Sequence, residues 1–178
     1  MAKLDFPELR SRIKEAAESA FAQVRSRNPN EEFCGYALYS DPDASTVCPA
    51  VNTRTHLEKM IAKDPDDAVY YRWSPGEWNH EFEGAEYFKE ISDLLGDEVR
   101  RIESPEEHKR FKQQVYEYCV RALEDMKRET FFSDLDESGV LVFTVSDATN
   151  ESERDWIDRL NSKELAQNFR DWIGSSSA

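Results

Sequence analysis

Two short runs that are apolar at almost every position, FCGYALYS (Phe33–Ser40) and VLVFTV (Val140–Val145), constrain this chain more than anything else in it. A strand with one wet face alternates apolar and polar residues, so a continuous apolar run belongs to a strand buried on both faces. The first run therefore predicts a central strand, and the second its counterpart late in the chain. Neither is stable unless other elements cover it.

Helical periodicity supplies most of that cover. Phe6, Leu9, Ile13, Ala16, Ala17, Ala20, Phe21 and Val24 predict an amphipathic helix over residues 5–27, with Asp5 as cap, Glu8 three residues on, and Asn28-Pro29-Asn30 as the stop. The turn Asp41-Pro42-Asp43 leads into a second strand over residues 47–51, where Pro49 predicts an edge or bulged position because it cannot donate to a ladder. Asn52 reads as the cap of a short helix carrying Leu57, Met60 and Ile61. After the turn Asp64-Pro65-Asp66-Asp67, residues 69–73 read as a third strand with Val69, Tyr71 and Trp73 on one face.

Further helices are predicted through Tyr87, Phe88, Ile91, Leu94 and Leu95, and from Ser104-Pro105 to Arg128 with Phe111, Val115, Tyr118, Cys119, Ala122 and Met126 inward. Two more close the chain, one through Trp156, Ile157 and Leu160, the other through Leu165, Phe169, Trp172 and Ile173. Four segments place a cap residue three positions before Glu: Ser74 with Glu77, Ser104 with Glu107, Asn150 with Glu153, and Asn161 with Glu164. The expected class is α+β, a small mainly antiparallel or mixed sheet of about four strands covered by several helices. One domain over residues 1–178 is expected, with loose ends at 1–4 and 174–178.

Composition excludes several functions. Lys and Arg number 23 against 37 Asp and Glu, a net charge of −14, which disfavours nucleic acid because phosphate contacts need clustered cations. The same acidity suits a basic protein partner. No apolar run is long enough for a membrane span, and the charged N-terminus is unlike a signal peptide. Cys34, Cys48 and Cys119 lack paired spacing and read as buried free thiols, which fits a reducing, cytoplasmic setting.

The chemistry-bearing residues form no signature. His56, His80 and His108 have no partner at metal-ligand spacing, so neither a metal nor a cofactor is expected. Asp134, Asp136, Ser138 and Gly139 begin like a calcium loop, but Val145 stands where the bidentate Glu belongs, so a polar turn is expected. No nucleophile elbow or phosphate loop is present, and no catalytic residue is assigned. Glu81 and Glu83, near Trp78 and His80, would suit acid–base work only if they lined a cleft.

The stretch YYRWSPGEWNHE, residues 70–81, is the densest local feature. With Ser74 as cap, Pro75 becomes the first helical residue, Glu77 the third and Trp78 the fourth. Trp73 then precedes the cap, and the two tryptophans fall where a hydrophobic staple packs. Around this corner, Tyr70, Arg72, Asn79, His80 and Glu81 are the candidates for contact with a partner.

Several of these segments, in this order, resemble a bacterial family known as domain of unknown function 4303. They are Phe33-Cys-Gly-Tyr-Ala-Leu-Tyr-Ser-Asp41, Pro49-Ala-Val-Asn-Thr53, Tyr71-Arg-Trp-Ser-Pro-Gly-Glu-Trp78, Glu129-Thr-Phe-Phe132 and residues 140–145 followed by Ser146-Asp147. The resemblance runs from the first helix past Asp147 and implies no established activity and no catalytic residues. In size and charge the chain is also similar to immunity proteins of polymorphic toxin systems. The expected function is thus a non-catalytic binding protein, an immunity-type inhibitor of a basic toxin; the alternative is a small hydrolase using scattered Glu, His and Asp.

Overall fold

A computed structural model describes residues 4–146 and 152–175. The elements run α1 (Phe6–Arg27), β1 (Phe33–Ser40), β2 (Val47–Thr53), α2 (Arg54–Lys63), α3 (Ala68–Trp73), β3 (His80–Glu81), α4 (Lys89–Arg101), α5 (Pro105–Arg128), β4 (Val140–Val145), α6 (Glu153–Leu160) and α7 (Lys163–Ser175). Short 3-10 turns cover Pro65–Asp67, Pro75–Glu77 and Ala85–Phe88. The fold is α+β, a mixed four-stranded sheet with helices on both faces.

The strand order is β3-β2-β1-β4, so the first apolar run is central, as its sequence requires. β2 pairs antiparallel to β1, and β4 pairs parallel to it with Gly35 opposite Val140 and Ser40 opposite Val145. Alternate residues of the apolar runs feed two cores. Tyr36, Leu38, Leu141 and Phe143 face α1 and α5, whereas Ala37, Val140 and Val142 face Trp73, Trp78, Ala166 and Phe169. Pro49 lies next to the sheet's short end strand. Its carbonyl accepts from Phe82 N–H at 3.0 Å, so its missing donor also points to that side, away from β1.

The open edge of β4 is closed by a side chain. The Asn161 amide donates to the Leu141 carbonyl at 2.7 Å and accepts from the Leu141 N–H at 2.9 Å, reproducing the pairing of a neighbouring strand. On the first face, the buried Tyr36 hydroxyl donates to Asp134 at 2.5 Å and accepts from Arg25 at 2.7 Å. Arg25 also pairs with Asp134, so the polar turn at residues 134–139 is tied to α1 rather than open for an ion. Arg54 pairs with Asp136 in the same turn.

Caps at Asp5 and Ser104 form as expected, accepting from Glu8 N–H at 3.0 Å and Glu107 N–H at 3.1 Å. Two others move by one residue. Thr53, not Asn52, accepts from His56 N–H, and Asn52 stays inside β2. Ser162, not Asn161, caps α7 through Leu165 N–H at 3.3 Å, because Asn161 is engaged by β4. The proposed Asn150 cap, Asp147 and most of the chain ends lie outside the described residues.

Residues 69–73 correct the expectation of a third strand: they form α3. Strand-type residues are overruled by tertiary packing, since Trp73 meets the Phe169 ring of α7 at 5.3 Å and donates to Asn168 at 3.1 Å. The third strand is instead the two-residue β3, paired with Ala50 and Val51.

The helix expected after Ser74 is likewise only the single turn Pro75–Glu77, and Ser74 makes no side-chain capping bond. Trp78 already has extended backbone, φ −82° and ψ 146°, so no fourth helical position exists for a staple. Its ring enters the sheet face over Gly35, anchored by Nε1 donating to the Tyr71 carbonyl at 3.2 Å. Both tryptophans are buried in one core, each held by different partners. Among the described residues, no helix is long and apolar enough to cross a membrane.

Candidate functional site

The corner at residues 70–81 forms one wall of a cleft of about 550 Å³ at the carboxyl ends of β1 and β4. The volume lies in the range of small-molecule and side-chain pockets. α3 and the Pro75–Glu77 turn supply Tyr70, Trp73 and Glu77; β1 and β3 supply Tyr39 and Glu81; β4 and α6 supply Thr144 and Glu153; α7 supplies Phe169 and Trp172.

The aromatic residues form a continuous wall. Tyr70 meets Trp172 at 6.2 Å between ring centroids, Trp172 meets Phe169 at 5.8 Å, and Phe169 meets Trp73 edge-on at 5.3 Å. Three carboxylates share the cleft, each engaged by a hydroxyl. Tyr70 donates to Glu77 at 2.9 Å, Tyr39 to Glu81 at 3.2 Å, and Thr144 to Glu153 at 2.6 Å.

No Lys or Arg lines the cleft among the described residues, and none of the three carboxylates joins an ion pair there. Some acids elsewhere are paired: Glu117 and Glu124, for example, bind Arg159 at 2.8 Å each. A larger concavity of about 690 Å³, between the start of α1 and helices α4 and α5, mixes Arg110 and Arg121 with Glu98, Glu107 and Glu117. It lacks the one-signed charge of the cleft.

Electrostatics follow from this placement. Burial pushes the Glu153 carboxyl above its ordinary value, with the Thr144 hydroxyl partly offsetting the shift. Burial likewise raises Tyr39, and the neighbouring Glu81 adds to it, so the phenol remains a donor at neutral pH. The thiols are poor nucleophiles: burial pushes Cys34 and Cys48 up to about 11 and raises Cys119 as well. Cys48 is half-buried rather than enclosed.

The residues singled out from sequence divide. Tyr70 and Glu81 line the cleft, together with Trp73, Ser74, Pro75 and Glu77 from the corner itself. Arg72, Asn79, His80 and Trp78 do not. Asn79 accepts from Thr53 N–H at 3.1 Å, and His80 bonds Glu83 at 2.7 Å. Arg72 is half-buried. Glu83 also pairs with Arg27, so the Glu81–Glu83 pair is split between cleft and surface. His56 contacts the Glu77 carbonyl at 2.8 Å and His108 the Asp43 carbonyl at 3.0 Å.

Sequence reasoning passed over Tyr39, Thr144, Glu153, Phe169 and Trp172, which it assigned to strands, a cap and a helix face. Nothing local in the sequence connects them. Phe82 was also passed over; it is 60% exposed and carries a left-handed φ of 67°, next to Glu81.

No curated protein and no solved structure matches the chain. The family described as Domain of unknown function (DUF4303) matches residues 13–162, a span that includes both buried strands, the corner and most of the cleft. The chain therefore belongs to that family.

Proposed function

We propose that this chain is a non-catalytic binding protein for a basic protein partner, acting as an immunity-type inhibitor that covers a cation-rich toxin. One observation carries the reading. In a chain of net charge −14, a cleft of about 550 Å³ holds three carboxylates that no cation of the described residues neutralises. Unbalanced negative charge in a concave, partly dry site focuses the field and steers a positive partner onto it.

The test is affinity capture with the tagged full chain, from a lysate of the organism that encodes it, at about 0.05 M and 0.5 M salt. The expected result is a specific basic protein whose capture falls steeply at the higher salt. Capture of only neutral or acidic proteins, or of nothing above an untagged control, overturns the reading.

A hydrolase is the second reading, and Glu153 favours it, because a carboxyl with raised proton affinity beside Thr144 is suited to general acid work. Turnover of chromogenic ester, peptide or glycoside substrates that Glu153→Gln abolishes would replace the binding reading with this one.

A further inference from the structure

We infer that the cleft is a socket for an arginine side chain presented by the partner, an inference that rests on the basic-partner reading above. Its two kinds of wall ask for one kind of guest. The chain of rings Tyr70, Trp172, Phe169 and Trp73 presents apolar faces and edges that stack on a flat group. The carboxylates of Glu77, Glu81 and Glu153 accept hydrogen bonds and require positive charge.

A neutral aromatic or aliphatic guest would leave the carboxylates uncompensated. An anion would meet three of them with no lysine or arginine to receive it. A compact ammonium would satisfy a carboxylate but stay strongly hydrated and stack poorly. A guanidinium is planar, weakly hydrated, always charged at physiological pH, and donates in a fork while its face lies on a ring.

The donors around the site prepare it for this guest. Tyr39, Tyr70 and Thr144 each spend a hydroxyl proton on a carboxylate oxygen, which orients that carboxylate and leaves it further acceptor capacity. Burial of Glu153 adds a second consequence. Burial raises its affinity for a proton, and a cation held beside it opposes that shift by favouring the carboxylate.

The experiment titrates the full chain with N-acetyl-arginine amide, the lysine analogue and the neutral isostere N-acetyl-citrulline amide. Tryptophan emission and calorimetry are the readouts, since Trp73 and Trp172 line the cleft. Saturable binding of the arginine amide, at least about tenfold tighter than the citrulline amide and tighter than the lysine analogue, is expected. Equal binding of arginine and citrulline amides overturns the assignment, and this comparison needs no variant.

Glu81→Gln/Glu153→Gln should weaken the arginine amide by about tenfold or more, whereas Glu103→Gln/Glu137→Gln, an equal charge change at exposed sites, should leave it unchanged. Equal losses in both variants would reduce the effect to general electrostatics and overturn the socket. Partner capture separates the two levels. If the cleft variant still captures a basic partner undiminished, the socket fails and the binding function stands. If the arginine amide binds the cleft but no basic protein is captured, the socket stands as a guanidinium site and the partner reading falls.

Discussion

Gly35 offers the sharpest test of how the aromatic corner is held. A Cβ built on Gly35 would fall 2.8 Å from Trp78 Cη2, 3.0 Å from Cζ2 and 3.2 Å from Cζ3, closer than carbon atoms pack. The indole cannot easily retreat, because it is buried and its Nε1 is bonded to Tyr71. Gly35 does not use a left-handed φ, so Gly35→Ala introduces a packing clash without backbone strain.

Overpacking of this kind costs about 1–3 kcal/mol. The reduced freedom of alanine in the unfolded chain returns about 0.5–1 kcal/mol. The net loss is roughly 0–2.5 kcal/mol, centred on about 1.25 kcal/mol, and at about 2–4 °C per kcal/mol for a chain of this size, Tm should fall by about 4 °C. Thermal melts followed by circular dichroism would measure it. Trp78→Phe removes the outer ring atoms that clash, so Gly35→Ala should cost little in that background, and the cycle should show clear coupling. A Tm for Gly35→Ala at or above wild type, or an identical loss with and without Trp78, would refute the packing argument.

Three other outcomes are expected. Trp78→Ala should cost about 3–5 kcal/mol by emptying a buried site, while Glu77→Ala, which loses one half-exposed bond to Tyr70, should cost about 0.5–1.5 kcal/mol; denaturant titration of both variants compares them. Asn161→Ala strips the paired N–H and C=O of buried Leu141 and should cost about 2–4 kcal/mol. That exceeds the roughly 1 kcal/mol expected for Ser162→Ala at a cap, and the same titration would show it.

The third outcome concerns pH. The Glu153 carboxyl is raised in the fold, so its contribution is fully present below its ordinary value near pH 4.5 and is lost as pH rises through the raised folded value. Glu153→Gln cannot ionise and can still accept from Thr144. Its Tm should therefore exceed wild type at neutral pH, and the gap should close toward pH 4; a gap constant with pH would show that Glu153 is not desolvated.

The buried strands, the long helices and their caps were legible because each is decided within a few residues. Asp5 bonds Glu8, Ser104 bonds Glu107, and the apolar period of α1 or α5 is set by neighbours one turn away. The same local rules failed wherever a distant group outbid them. Asn161 left its cap for Leu141, 20 positions earlier, and Ser162 took its place. Residues 69–73 carry strand-type side chains, yet Trp73 bonds Asn168, 95 positions away, and the segment coils into α3.

Acidity, the two buried strands and most of the helices thus belong to the sequence alone, because charge is a sum and periodicity is local. Tertiary structure decided where that acidity is concentrated. Tyr39, Glu81, Glu153 and Trp172 carry no common motif; parallel pairing of β1 with β4 brings two strand ends together, and α3, α6 and α7 close around them. Within the corner itself, packing gave the two tryptophans separate places. Trp78 is wedged on Gly35 beneath the sheet face, and Trp73 stands with Phe169 in the wall of the cleft.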